Sequence, residues 1–307
     1  MAWKSKWVSV LWACAWLCAS CSTEARLRVG GATPYVRCMA GPEPAERTLR
    51  LGGAQVRVHG RQVELTGVPA DPTLVAFSGP GFGGPPPAAA LAELARAKAD
   101  AVFMLGGLGE SEPEARATAI ALAKIDRPVF FLAGGRDRWS VLRAALGSSE
   151  RIVDVTPATE LRLGSHTLVF VPGAEAGRYA IDDTACGFGA PDLRALAAAL
   201  GPPKGSRWLV SWHAPAAARG QKGVTRTATG VDIGSWTLSR FASQIGAPNG
   251  FYGWPVSSDS DSVSGPGGAA QRVVPRLWGP RIERDDGSLA PLGFARFTLS
   301  DPAFPHR

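Results

Sequence analysis

"FLAGGRDRW" (residues 131–139) runs from an apolar stretch through a Gly-Gly turn into a segment of helical spacing. α/β folds present their ligand-binding loops in this form, beyond the carboxyl ends of strands. Here the loop displays Arg136, Asp137 and Arg138. The segments before it repeat the pattern. "TLVAF" (73–77), "AVFML" (101–105) and "PVFFLA" (128–133) read as short buried strands. Between them, "AAALAELARAKA" (88–99) and "PEARATAIALAKI" (113–125) have helical spacing, the second with Pro113 in its first turn, where proline is favoured. "WSVLRAAL" (139–146) gives a third helix. Strands alternating with helices of this length predict a parallel sheet covered on both faces. Its strand-end loops are "SGPGFGG" (78–84), "GGLGESE" (106–112) and "GGRDR" (134–138).

The flanks are richer in strands. "LRLGGAQVRVHGRQVELTGV" (49–68) places Val56, Val58, Val63 and Leu65 in alternation about His59-Gly60, which predicts an N-terminal β-hairpin. "RIVDV" (151–155), "ELRLG" (160–164) and "TLVFVPG" (167–173) are strand-like, and "RWLVSWHAP" (207–215) is a strand running into a loop that bears His213. Helical spacing returns in "APDLRALAAAL" (190–200) and "SWTLSRFASQIG" (235–246). The chain closes on strands in "GFYGW" (250–254), "RVVPRLW" (272–278) and "GFARFTLS" (293–300). Residues 257–271, rich in Ser, Gly and Asp, predict an exposed loop, and the "SDSDS" within it lacks the Gly and Glu of a calcium loop. "GRYAIDDTACGFG" (177–189) reads as a surface connection, with Asp182 and Asp183 holding its turns.

Three strand-end glycine loops, then a strand ending in His, then a strand ending in another glycine loop: this order resembles the calcineurin-like metallophosphoesterases over roughly residues 73–300. The resemblance implies an αββα sandwich, and loops reading Asp-x-His, Gly-Asp, Gly-Asn-His-Asp/Glu, His and Gly-His-x-His. Those loops hold two divalent metals that activate water and clamp a phosphate ester. Here "FSGPGFG" has Gly79 and Gly81 where Asp and His would stand, and "LGGLGE" has Gly107 at the bridging Asp. "AGGRDR" has Gly135 and Arg136 for Asn and His and keeps Asp137, "VSWHAP" keeps His213, and "YGWPV" carries Trp254 and Val256 for the two His.

Two divalent ions about 4 Å apart need several carboxylate and imidazole ligands to offset their repulsion and lost hydration. Of the expected ligand positions only His213 remains, with Asp137 a vestigial companion. The resemblance therefore implies a metallophosphoesterase fold whose metal site is dismantled: a pseudoenzyme with a hydrolase fold and no cofactor. An active phosphoesterase with an atypical divalent-metal site is the alternative. Arg136 and Arg138 bring positive charge to the place of the metals. Arginine can bind an anion there, but it cannot generate hydroxide at neutral pH. The neighbouring Asp137 is open to two further readings, pairing with one of these arginines or capping the helix from Trp139. Gly79-Pro80-Gly81-Phe82-Gly83-Gly84 is literally a dinucleotide fingerprint. Its context excludes that reading, because Pro85-Pro86-Pro87 stand where a helix N-terminus should meet the pyrophosphate.

The first residues add a location. Lys4 and Lys6 precede an apolar run, Trp7 to Leu17, of signal-peptide length and too short to cross a bilayer. It ends in Leu17-Cys18-Ala19-Ser20-Cys21-Ser22, which resembles a bacterial lipobox with Cys21 lipidated; ordinary secretory cleavage near Ala19 to Ser22 is the other reading. The expected organisation is a signal peptide over 1–20, a tether over 21–48 and one α/β domain over 49–307. This predicts a cell-envelope lipoprotein, at the outer membrane or the periplasmic face, acting as a binding or structural module toward an envelope protein or an anionic ligand. Against 33 Lys+Arg stand 26 Asp+Glu, scattered with no basic run, which excludes nucleic acid as the partner. Beyond Cys21 only Cys38 and Cys186 remain. Export permits a disulfide between them, and two separately buried thiols is the simpler expectation.

Overall fold

The computed structural model describes residues 38, 45–81, 84–146, 151–176, 185–203, 205–217, 224–226, 230–254, 262–264, 270–279, 287 and 292–300. The lipidation candidate Cys21 lies outside them, as do Arg178, Tyr179, Asp182 and Asp183.

Two mixed sheets form among these residues. The smaller has five strands in the order β16 (Ala295–Thr298), β4 (Thr73–Phe77), β5 (Ala101–Leu105), β6 (Val129–Leu132) and β7 (Ile152–Asp154). Strands β4 to β7 run parallel, and β16 is antiparallel on the edge. The larger has nine strands. It starts with a meander of β1 (Arg47–Leu51), β2 (Ala54–His59) and β3 (Gln62–Thr66). It continues through β8 (Glu160–Leu163), β9 (His166–Val171), β12 (Ser206–His213), β13 (Asn249–Trp254), β15 (Ala270–Val273) and β14 (Ser262–Ser264). A short parallel pair, β10 (Ala174–Glu175) with β11 (Gly187–Phe188), stands apart.

Period-two alternation along the strands distributes the apolar residues into three cores. Inward residues such as Leu74, Phe103, Phe130, Leu168, Trp208, Val210 and Phe251 fill the space between the sheets. Phe103 stacks on Phe130 at 5.0 Å and meets Phe251 of the opposite sheet edge-on at 5.5 Å. Outward residues of the small sheet, Val75, Phe77, Val102, Met104, Val129 and Phe131, pack under α1 (Ala88–Arg96), α2 (Glu112–Leu122) and α3 (Trp139–Leu146). Those of the large sheet, Val169, Val171, Leu209 and Tyr252, pack under α4 (Ala190–Leu200) and α5 (Trp236–Gln244). The fold is thus an αββα sandwich of mixed sheets.

Local signals place the helices. The Glu114 carboxylate accepts from the Ser111 backbone N–H at 3.3 Å at the start of α2, and Asp192 accepts from Gly189 N–H at 2.7 Å at the start of α4. The hydroxyl of Ser235 accepts from Leu238 N–H at 3.1 Å to cap α5. The buried Arg207 guanidinium donates to the carbonyls of Leu200, Gly201 and Ile245 at 2.9–3.1 Å, satisfying the C-terminal ends of α4 and α5 together.

Several expectations are corrected. The N-terminal hairpin is a three-stranded meander, because Gly52-Gly53 make a first turn before the one at Gly60. The stretch 257–271, expected as a loop, contributes β14 and the start of β15, while β15 ends at Val273, so "RVVPRLW" leaves the sheet after its second residue. The helix expected over 113–125 ends at Leu122. Cys38 and Cys186 are joined in a disulfide, with Cα atoms 5.3 Å apart and both residues buried under the helices of the small sheet. They lie 148 residues apart in sequence, so only the tertiary fold brings them together. Within the stretch expected as a tether, Cys38 is therefore fixed to the domain and β1 already begins at Arg47.

Candidate functional site

The loops after β4, β5 and β6 close directly on one another. Gly79 N–H donates to Gly106 O at 3.0 Å, Gly81 N–H to Gly107 O at 3.1 Å, and Gly106 N–H to Leu132 O at 2.8 Å. At Gly107, φ is +78°, and a Cβ there would fall 2.1 Å from the Gly79 carbonyl oxygen. The position corresponding to the bridging Asp of the resembled motif has no room for any side chain.

Asp137 ties the next two loops together. Its carboxylate accepts from Gly134 N–H at 2.7 Å, Gly107 N–H at 2.9 Å and Leu108 N–H at 3.0 Å. The side chain is fully buried, and burial pushes its pKa up to about 6, against the opposing pull of these three donors. The N–H groups at these strand ends thus already face an acidic group, and it belongs to the protein. Neither a pairing with the adjacent arginines nor a cap on α3 describes these bonds.

Trp212 fills the centre of the cleft. It follows Trp208 and Val210 on the inward face of β12 and projects past the sheet among the strand ends. A Cβ on Gly106 would lie 2.4 Å from its Cδ1, on Gly134 2.5 Å, and on Gly253 3.0 Å. Glycine at the ends of β5, β6 and β13 is therefore what admits the indole, which is 6% exposed. The resembled motif points to His213, whereas the alternation of "RWLVSWH" and the three strand-end glycines carry the signal for Trp212.

His213 is on the other face. It is completely buried behind the large sheet, 6.4 Å from the Phe188 ring. Its Nδ1 accepts from Glu175 N–H at 3.2 Å, which leaves the hydrogen on Nε2, 3.4 Å from the Ile233 carbonyl. The expectation that His213 lines the strand-end cleft with the arginines is corrected: odd and even residues of a strand face opposite ways, and it is Trp212 that faces in. The Glu175 carboxylate in turn accepts from the Thr237 hydroxyl at the start of α5. Trp254 pairs in register with His213 across β12 and β13, and its side chain lies outside the described residues.

Arg136 and Arg138 are exposed at the mouth. Arg136 comes within 3.9 Å of Glu110 on the neighbouring loop, a pair of half-exposed groups worth little. Arg138 forms an isolated bridge with Ala185, beside the disulfide. Arg276, bridged to Ser78, completes the rim; burial lowers its pKa, and the charge of Arg136 lowers it further.

A pair of divalent metals, which the resemblance implies, does not fit these residues. The indole of Trp212 takes the volume, both Asp137 oxygens are bound to backbone, and among the described residues no three His, Cys, Asp or Glu side chains cluster to hold an ion.

The chain matches no family model and no curated protein. Among solved structures it is similar to one at 11% identity and TM-score 0.54, covering 75% of this chain and 96% of that one. It is also similar to TT1561 of Thermus thermophilus, at 16% identity and TM-score 0.49, over 67% and 90% of the two chains. A purple acid phosphatase from yellow lupin seeds aligns at 10% identity and TM-score 0.46, over 81% of this chain and 53% of that one.

Proposed function

We propose that this protein is a non-catalytic relative of the metallophosphoesterases, exported and anchored by lipid at Cys21, which serves the cell envelope as a binding or structural module. The order of the strand-end loops and the αββα architecture support the kinship. The observation that carries the loss of catalysis is Trp212 seated among Gly106, Gly134 and Gly253, where hydrolysis would need ions and water. Arg136 and Arg138, exposed at the mouth, are the groups that meet anionic partners.

The test is elemental analysis of the purified full-length protein beside an aryl-phosphate assay with added Mn²⁺. The expected result is no stoichiometric metal and no turnover above buffer. One metal per chain together with turnover that Asp137→Asn abolishes would establish the phosphoesterase reading instead.

A further inference from the structure

Four large apolar side chains are exposed among the described residues: Ile120, Val231, Trp236 and Leu292. Three of them stand at the strand-end face. Ser235 N–H donates to Ala214 O just past the end of β12, which puts Trp236 there, 48% exposed. Asp232 accepts from Ala217 N–H at 2.7 Å in the same loop, which places Val231, 57% exposed, beside it. Leu292 bridges Arg276, which bridges Ser78 at the end of β4. Ile120 alone sits late on α2, toward the opposite end. Such residues scattered singly need no explanation, whereas their collection on one face does.

The disulfide adds a second, independent observation. Gly173 N–H donates to Ala133 O beyond the end of β6, and Cys186 lies against Gly173, so Cys38 is fixed at this same face. Cys21 precedes Cys38 by 17 residues, a covalent reach of at most about 60 Å. Cys38, the first described residue after the lipidation candidate, is therefore fixed at the face that carries the exposed Trp, Val and Leu, together with Arg136 and Arg138.

We infer that the strand-end face is a membrane-docking surface: once anchored, the domain rests on an anionic bilayer with Trp236, Val231 and Leu292 at the headgroup level and the two arginines over lipid phosphates. Trp is favoured at that depth because one edge of its ring is apolar and the other donates a hydrogen bond. Glu110 beside Arg136 makes the electrostatic part secondary, so the apolar contacts dominate. The inference rests on the anchoring at Cys21, and the experiment separates the two.

The full chain is expressed in a bacterium that processes lipoproteins and reconstituted in vesicles of phosphatidylethanolamine and phosphatidylglycerol carrying a shallow doxyl-labelled phosphatidylcholine. Mass spectrometry reads the state of Cys21, and tryptophan quenching reads the depth. Wild type is expected to be quenched, Trp236→Phe to lose most of that quenching, and Val231→Asp with Leu292→Asp to lose it with all tryptophans present and the far-UV circular dichroism unchanged. Lipidated Cys21 with equal quenching in wild type and Trp236→Phe overturns the docking surface alone, and docking by a protein partner would give that result. Unmodified Cys21 with quenching intact upholds the surface and removes the anchor. Unmodified Cys21 without quenching removes both.

Discussion

The cleft between the sheets and the layer behind the large sheet receive adjacent residues of one strand, and they treat them differently. Trp212 enters the cleft, where glycines at three strand ends leave a slot for a flat ring. His213 enters the rear layer, where a backbone N–H and a carbonyl take its two nitrogens. The cleft is closed by shape and the rear layer by hydrogen bonding. A strand-end His can therefore sit next to the cleft without belonging to it, because its polar partners lie on the other side of the sheet.

Introducing an acid into the cleft should break this arrangement most severely. Gly107→Asp must place a Cβ 2.1 Å from the Gly79 carbonyl at a φ of +78°, and a loss of about 4 kcal/mol or failure to fold is expected, with no gain of metal binding. Urea unfolding and elemental analysis check both halves. Trp212→Ala comes next, at about 3–5 kcal/mol, since a large ring leaves a cavity that its glycine neighbours cannot fill. His213→Ala should cost less, about 1–3 kcal/mol, chiefly by unpairing the Glu175 N–H. If the histidine proved the costlier of the two in paired denaturation curves, the contrast between the faces would be lost.

Acid should sharpen the comparison within the cleft itself. The Asp137 carboxyl titrates near 6 in the fold against 3.8 as its ordinary value, so the native state holds the proton more tightly than the unfolded chain. Its contribution to stability is present in full below about pH 4 and is lost as pH rises through 6, a change on the order of 2–3 kcal/mol. Unfolding measured at pH 4 and pH 7 should show that loss in wild type and not in Asp137→Asn. The smallest effect is expected at the rim, where Arg136→Ala should change the free energy of unfolding by less than about 0.5 kcal/mol.

The central strands were legible almost residue for residue, since "TLVAF" and "AVFML" are β4 and β5 as they stand. Fully buried parallel strands advertise themselves as unbroken apolar runs. The edge strand β14 hid because "SVS" carries little apolar signal and borrows its order from β15. The Cys38–Cys186 pairing was beyond reach for another reason: no local pattern encodes a contact across 148 residues. The site was half legible. The glycines at the strand ends are plain in the letters, but what occupies the space they leave depends on which face of β12 each side chain takes, and Trp212 and His213 take opposite faces.

The disulfide also decides where a mechanical load would enter the molecule. A pull on the N-terminal segment reaches Cys38 first and passes through the covalent bridge to Cys186, in the middle of the chain. The edge strand β1, which is held to the nine-stranded sheet by its ladder with β2 alone, then bears none of the force. In reducing conditions the same pull would arrive at Arg47 and peel β1 from the sheet.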